Sequence, residues 1–265
     1  MSPRPGAESG YGAPYSALAR VYDQWMAADR IPYDQWIAFT EKRFHEAGFA
    51  VRTILDVCCG TGMGIRTLQE HGYEVTGVDA SEQMLDIARA RTAPGTELLC
   101  LALPDERISA LGPFDAVLIC FDGANYLAGD GALATTLDQL ARTLRPGGLL
   151  LFDLSTRLSF EAIAALGEFG EDFGDFAYLW NTRHEPDTSS YEYLVSLFVP
   201  EGELYRRSVE RHPQRCFTHD EVENALRGAG FTDLAVSDNY TERAVTDATR
   251  RETWTARLTT GSLPR

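Results

Sequence analysis

Lysine is almost missing from this chain of 265 residues: Lys42 is the only one, and every other residue counted as basic is arginine. No lysine follows a Gly-rich turn, which excludes a Walker-type phosphate loop. Basic clusters are equally scarce, limited to pairs such as Arg206–Arg207 and Arg250–Arg251, while the formal charge is −15 and the pI near 4.7. Such a chain repels a phosphate backbone, so nucleic acid is not expected as a partner. No N-terminal apolar leader and no run of about 18 apolar residues occurs, so the expectation is a cytoplasmic protein that does not span or bind a membrane. The five cysteines, at 58, 59, 100, 120 and 216, form no Cys-x-x-Cys pair and no Cys/His metal spacing. Neither a disulfide framework nor a metal site is expected, and the thiols read as buried and reduced. Internal repeats are also absent.

What is present is enough apolar material, 44% of residues, for one large α/β domain with an elaboration. Residues 1–12, rich in Gly, Pro and Ser, read as a mobile tail. Leu18, Val21, Tyr22 and Trp25 fall at helical spacing within Tyr15–Met26, and a second helix is expected from Pro32 to about Glu46. Strands are then expected over Thr53–Cys58, Tyr73–Val78, Glu97–Leu101, Phe114–Phe121 and Gly148–Leu154. They alternate with helices over Gly64–His71, Ser81–Arg91 (Ser81 as N-cap) and Leu133–Leu144. That rhythm means a parallel sheet with helices on both faces. After Leu154 it breaks into antiparallel strands over Phe176–His184, Tyr191–Val199 and Leu204–His212, with turns at Glu185–Ser190 and Pro200–Gly202. A helix over His219–Gly228 and strands over Phe231–Ser237 and Thr253–Leu258 complete the core. The expected organisation is therefore a tail (1–12), an N-terminal helical lid (13–50), a Rossmann-like core (51–169), an antiparallel β insertion serving as substrate wall or homo-oligomer interface (170–217), and a C-terminal completion (218–265).

The strongest local signal is Ile54-Leu55-Asp56-Val57-Cys58-Cys59-Gly60-Thr61-Gly62. A buried strand ends beside an acid, and glycines then let a ligand approach the backbone before a helix begins. The next strand ends at Asp79, where a carboxylate can accept both hydroxyls of a ribose. A dinucleotide fingerprint would require glycine where Ile65 stands. Asp56 would repel a pyrophosphate but suits the ammonium of a methionine moiety, which argues for a sulfonium amino-acid nucleoside over NAD. A ligand-free tight turn would leave Asp79 as coincidence.

These residues, with Gly77-Val78-Asp79-Ala80-Ser81, Met84-Leu85, Phe114-Asp115-Ala116-Val117 and Leu144-Arg145-Pro146-Gly147-Gly148, resemble the successive motifs of class I S-adenosylmethionine-dependent methyltransferases. The resemblance implies a seven-stranded, mostly parallel sheet with one antiparallel strand. It implies S-adenosylmethionine as cofactor, bound by Asp56, Gly60 and Gly62 on its methionine side, Asp79 and Ala80 at the ribose, and Met84 near the adenine. Two positions depart from the pattern. Cys58 stands where Gly or Ala is usual. The acid expected after the third strand is missing from Leu101-Ala102-Leu103-Pro104, leaving Asp105 two or three positions late and Leu103 as a backbone substitute.

Cys120-Phe121-Asp122-Gly123-Ala124-Asn125-Tyr126-Leu127 resembles the loop of small-molecule methyltransferases acting on glycine-like amines and amino sugars. It implies Phe121 against the cofactor and Asn125 and Tyr126 at the transferred methyl. The segment Tyr15–Asp23 resembles the entry segment of the same enzymes, implying Tyr22, then Tyr15, as the cofactor's cover. His212 is the histidine expected as a base. For each of these side chains the competing reading is ordinary packing: a loop cap for Asn125 and Tyr126, core aromatics for Tyr15 and Tyr22. The expected activity is methyl transfer to a small-molecule acceptor, an amine nitrogen before an oxygen or carbon, since no strong base is visible. The alternatives are an NAD(P) oxidoreductase and a cofactor-binding scaffold without catalysis.

Overall fold

The computed structural model describes residues 10–184 and 188–259. Parts of the expected tail and of the 185–190 turn lie outside those residues. Two helices come first, α1 (Ala19–Ala28) and α2 (Tyr33–Glu46). The core follows as β1 (Thr53–Val57), α3 (Met63–Glu70), β2 (Glu74–Asp79), α4 (Glu82–Arg91), β3 (Leu98–Cys100), β4 (Phe114–Ile119), α5 (Ala132–Thr143) and β5 (Leu144–Ser155). Next come α6 (Arg157–Leu166) and the antiparallel strands β6 (Glu168–Asp172), β7 (Ala177–His184), β8 (Ser190–Glu201) and β9 (Leu204–Arg215). Helix α7 (His219–Gly228), β10 (Phe231–Asp238) and β11 (Arg251–Leu258) close the chain. The large sheet has seven strands in the order β10-β11-β5-β4-β1-β2-β3, with β11 antiparallel to its neighbours. This is the Rossmann-like class I architecture.

Strand alternation builds a core on each face. Ile54, Ala116, Leu118, Leu149 and Leu151 meet α2, α3 and α4 through Trp36, Phe39, Ile65, Leu68 and Leu85. Their neighbours Leu55, Val57, Val117, Ile119, Leu150 and Phe152 meet α5 and α7 on the opposite face. The chain crosses from one side of the sheet to the other between β1 and β4, so the crevice beyond their C-terminal ends is where a ligand belongs.

Several expectations need correcting. The helix expected from Tyr15 begins only at Ala19, because Tyr15 takes a left-handed backbone (φ 59°) and the next turn is capped from outside. Gly12, assigned to a mobile tail, exchanges backbone hydrogen bonds with Val209 and Arg211 and lies along β9. The Pro146–Gly147 turn is an irregularity inside one long β5, where the register with β4 shifts. Helix α6 and the mostly exposed β6 went unread, so the small sheet has four strands rather than three. The structural unit also starts before residue 170, since Phe160 of α6 packs on Tyr191 and Tyr193. Strands β8 and β9 run through Pro200 and Pro213 instead of stopping before them. Proline is tolerated at a strand end and on an edge strand, and β9 is an edge.

Helix α1 packs on the small sheet, with Leu18 and Val21 against Phe176, Tyr178, Val195 and Leu197. No helix among the described residues is long and apolar enough to cross a membrane.

Asp115 shows how a motif acid holds the core. Its Oδ2 accepts the Arg52 and Thr53 N–H groups at 2.6 and 3.0 Å, pinning the start of β1 to β4, and Arg145 lies 2.9 Å from Oδ1. Asp115→Ala strands those two donors and is expected to lower stability by about 1–3 kcal/mol. Urea unfolding should show a lower midpoint at constant slope; an unchanged midpoint would exclude the anchor.

Candidate active site

The β1–α3 turn is left-handed at Cys58 (φ 57°), Gly60 (φ 55°) and Gly62 (φ 75°). A Cβ at Gly60 would project into open space, so this glycine leaves the crevice floor clear. Gly62 has a different role from the one expected. It lines neither of the two cavities at the crevice, and a Cβ there would meet Ala88 at 3.0 Å, so it is needed for α3 to start against α4. Cys58 occupies a backbone conformation that favours glycine, which gives its departure from the family pattern a physical cost. It faces the crevice, and Cys100 is exposed on the short edge strand β3, so neither is the buried core thiol expected. Cys59 and Cys216 are buried, and all five cysteines are free.

Asp79 ties the two ligand loops together. Its Oδ2 accepts the Gly60 N–H and its Oδ1 the Ser81 N–H, each at 2.8 Å. Burial raises the carboxyl, and the N–H groups of Ser81, Gly60 and Ala80 oppose that rise. Asp79 lines a cavity of about 390 Å³ together with Ala80, Met84, Leu103, Tyr22 and Phe121. Asp105 turns away, accepting from Arg107 and capping a 3-10 turn. The wall beyond β3 is instead made by Leu101, Ala102 and Leu103. Asp56 sits deeper, in an adjoining cavity of about 80 Å³ shared with Tyr22, Tyr33, Trp36, Cys58 and Gly60. Burial first, and the Asp79 charge second, push its carboxyl up to about 7. Asp23 of α1 braces the same turn by accepting from Thr61 Oγ1 at 2.7 Å and pairing with Arg91.

A third cavity, of about 300 Å³, lies between the N-terminal segment and the small sheet. Tyr22 and Phe121 line all three cavities, and Tyr15 and Tyr126 line the larger two. Phe121 and Asp122 are both left-handed at φ 60°. They are held by buried Asp153, which accepts their N–H groups at 2.9 and 2.6 Å and the Tyr240 hydroxyl at 2.7 Å. Burial raises Asp153 to about 6 against the pull of Arg251. Arg251 also pairs with Asp122 at 2.7 Å.

Asn125, expected at the transferred methyl, is fully buried and lines none of these cavities. Its amide donates to the Arg215 carbonyl at 2.8 Å and accepts the Ser155 N–H at 2.9 Å, so it positions the loop by joining β5 to β9. Tyr126 and His212 do come together. The Tyr126 hydroxyl lies 2.8 Å from both His212 Nδ1 and the Tyr15 hydroxyl, and His212 Nε2 lies 3.0 Å from Glu210 Oε2.

Glu210 is the residue that sequence reasoning missed. It is 1% exposed and accepts N–H groups from Tyr15 at 2.7 Å, Leu18 at 2.9 Å and Ala17, and the Ser16 hydroxyl at 3.2 Å. Burial works to raise its carboxyl, but the His212 contact and the Ala17 and Leu18 amides win, leaving it below its ordinary value. The available signal was spacing: two residues before His212 on a strand, Glu210 shares its face. Asp153, Tyr240 and Arg251 carried no comparable sign, since they act by holding backbone far away in sequence.

Residues 54–148 match the methyltransferase domain family. The Bacillus subtilis (strain 168) protein named "Putative methyltransferase YqeM" is 36% identical over 229 residues, 86% of this chain and 90% of that protein. This chain is a class I S-adenosylmethionine-dependent methyltransferase. A dTDP-3-amino-3,6-dideoxy-alpha-D-glucopyranose N,N-dimethyltransferase of Streptomyces fradiae is 31% identical to the enzyme over 233 residues, 85% of this chain and 88% of that one. An S-adenosylmethionine-dependent methyltransferase from Clostridium acetobutylicum ATCC 824 superposes with TM-score 0.78 at 27% identity, covering 92% of this chain and 99% of that one. The dinucleotide oxidoreductase alternative is thereby set aside. The crevice fits the cofactor: an open floor at Gly60, a carboxylate at the tip of β2 and a buried carboxylate at Asp56.

Two outcomes follow for this methyltransferase. Asp79→Ala should lose more than about tenfold in S-adenosylmethionine affinity by calorimetry, having removed a charged acceptor worth about 1.5–3 kcal/mol. A protonated Asp56 offers no charge to an ammonium, so affinity should rise several-fold as pH increases from about 5.5 to about 7.5, and Asp56→Asn should flatten the rise. A flat wild-type profile would remove Asp56 from the ammonium site.

Proposed function

We propose that the enzyme methylates an amine nitrogen of a small cytoplasmic molecule held in the 300 Å³ cavity. The reading rests on one observation: Tyr15, Tyr22, Phe121 and Tyr126 line both the cofactor crevice and that cavity, so the two lie side by side with a shared aromatic wall. When bound, S-adenosylmethionine supplies an electrophilic methyl on its sulfonium. Asp79 and Ala80 would hold the ribose side, Met84 and Leu103 the adenine side, and Asp56 and Gly60 the methionine side. Tyr22 and Phe121, which line both cavities, would stand between cofactor and acceptor, and the N-terminal segment covers the site. Holding the reactants in line and dry supplies much of the rate, up to ~7–11 kcal/mol.

The remaining task is a proton. A nitrogen nucleophile must be neutral, so the acceptor ammonium has to lose H⁺ before attack. Glu210 facing His212 Nε2 assigns the proton to that nitrogen and leaves the Nδ1 lone pair for the Tyr126 O–H. Tyr126 oxygen then takes a proton from the acceptor as its own passes to His212, and Glu210 balances the imidazolium. Burial pushes the Tyr126 phenol up, so it stays protonated at neutral pH and serves as a relay. That suits an ammonium and does little for an alcohol or carbon acid. The S. fradiae relative, named for transfer to an amino-sugar nitrogen, supports the same choice of atom.

The test is release of S-adenosylhomocysteine over a panel of amino sugars, arylalkylamines and amino acids, with products mapped by mass spectrometry. Transfer confined to hydroxyl or carbon acceptors would sink the reading. Tyr126→Phe should reduce kcat about 10²-fold while cofactor affinity stays within about twofold; unchanged turnover would exclude the relay.

A further inference from the structure

The lining of the 300 Å³ cavity narrows the class of amine, an inference that rests on the function proposed above. No lysine or arginine is among the described lining residues; the carboxylates are Asp29, exposed at the rim, and Asp122. A phosphate group brought here would face the exposed Asp29 and an Asp122 whose partner Arg251 is already engaged, with no lining guanidinium or ammonium to answer it, in a chain of formal charge −15. The walls are aromatic. The Trp180 and Tyr193 ring centroids are 4.9 Å apart, Trp25 stands edge-on to Trp180 at 6.3 Å, and Phe160 stacks on Tyr193 at 6.3 Å. Such walls take a flat apolar body, and their faces attract an ammonium.

A second observation points to an oxygen on the occupant. The Trp180 indole N–H and the Tyr193 hydroxyl are buried without a partner among the described residues, and Tyr193 is only 2% exposed. Leaving two such donors unpaired is costly, and a ligand hydroxyl or carbonyl oxygen would satisfy them.

We propose that the acceptor is a phosphate-free arylalkylamine carrying a ring oxygen, and that this cavity rejects nucleotide-linked amino sugars of the kind named for the S. fradiae relative. The amine lies at the Tyr15–Tyr126 end, the ring lies among Trp25, Trp180 and Phe160, and Asp29 repels anions at the mouth.

Calorimetry on the enzyme saturated with S-adenosylhomocysteine tests this with three probes: tyramine, thymidine diphosphate, and the dTDP-linked 3-amino sugar. Tyramine should bind, and with S-adenosylmethionine in place of the product it should be methylated on nitrogen, whereas the two nucleotides should bind at least about tenfold more weakly. Trp180→Phe keeps a ring but deletes the N–H and should weaken tyramine about three- to tenfold. Asp29→Arg, at an exposed position, should weaken tyramine and tighten thymidine diphosphate. Tighter binding or preferred methylation of the dTDP-sugar would overturn the acceptor class while leaving amine methylation standing, and so would failure of tyramine to bind. Methylation of tyramine on its phenol oxygen would instead overturn the nitrogen reading and leave the cavity's preference intact.

Discussion

A carboxylate enclosed in protein is costly unless donors surround it, and at Glu210 they do. Four groups from the Tyr15–Leu18 segment and one imidazole nitrogen converge on its two oxygens. The amides that open α1 have no partner within their own helix, so the acid supplies from β9 what a local cap would otherwise supply. The same charge selects the histidine tautomer that presents a lone pair to Tyr126. Placement of the N-terminal cover, and the proton relay proposed for Tyr126, thus depend on one buried anion. Removing it would leave both a helix start and an imidazole without their counterpart.

The two acids of the cofactor crevice show how environment divides similar side chains. Asp79 keeps backbone donors on both oxygens, which offset its burial. Asp56, one strand away, feels burial and the neighbouring Asp79 charge. The first is suited to a neutral diol, and the second to a cation that repays its ionisation. Asp153 makes the third variation: its charge is spent holding two left-handed residues so that Phe121 stands at the partition.

The parallel core and its ligand loops were legible because they rest on local signals: apolar strands of regular spacing, a Gly-rich turn and an acid at a strand tip. Helix α6 and β6 were hidden because β6 is short and largely exposed, so it shows no alternation. Prolines at 200 and 213 masked strand ends that survive because Pro200 sits next to the end of β8 and Pro213 lies on the edge strand β9. Within the site, Tyr126 and His212 stand out in the sequence as a ligand-loop tyrosine and a candidate base, and the structure brings them within hydrogen-bonding distance. Asn125 misled, since an amide in a ligand loop looks the same whether it faces substrate or backbone. Tyr240 and Arg251 act across long sequence separations, which no local pattern encodes, and Glu210 left only its two-residue spacing from His212 as a sign.

Asn125 has a wider effect than its own loop. One amide grips the end of β5 in the large sheet and the end of β9 in the small one. The loop that carries Tyr126 and the cavity wall at Ser155 are thereby riveted at a common joint, so their spacing is a property of the scaffold. For the acceptor proposed above, that fixed spacing makes its length, as much as its basicity, a condition for reaction.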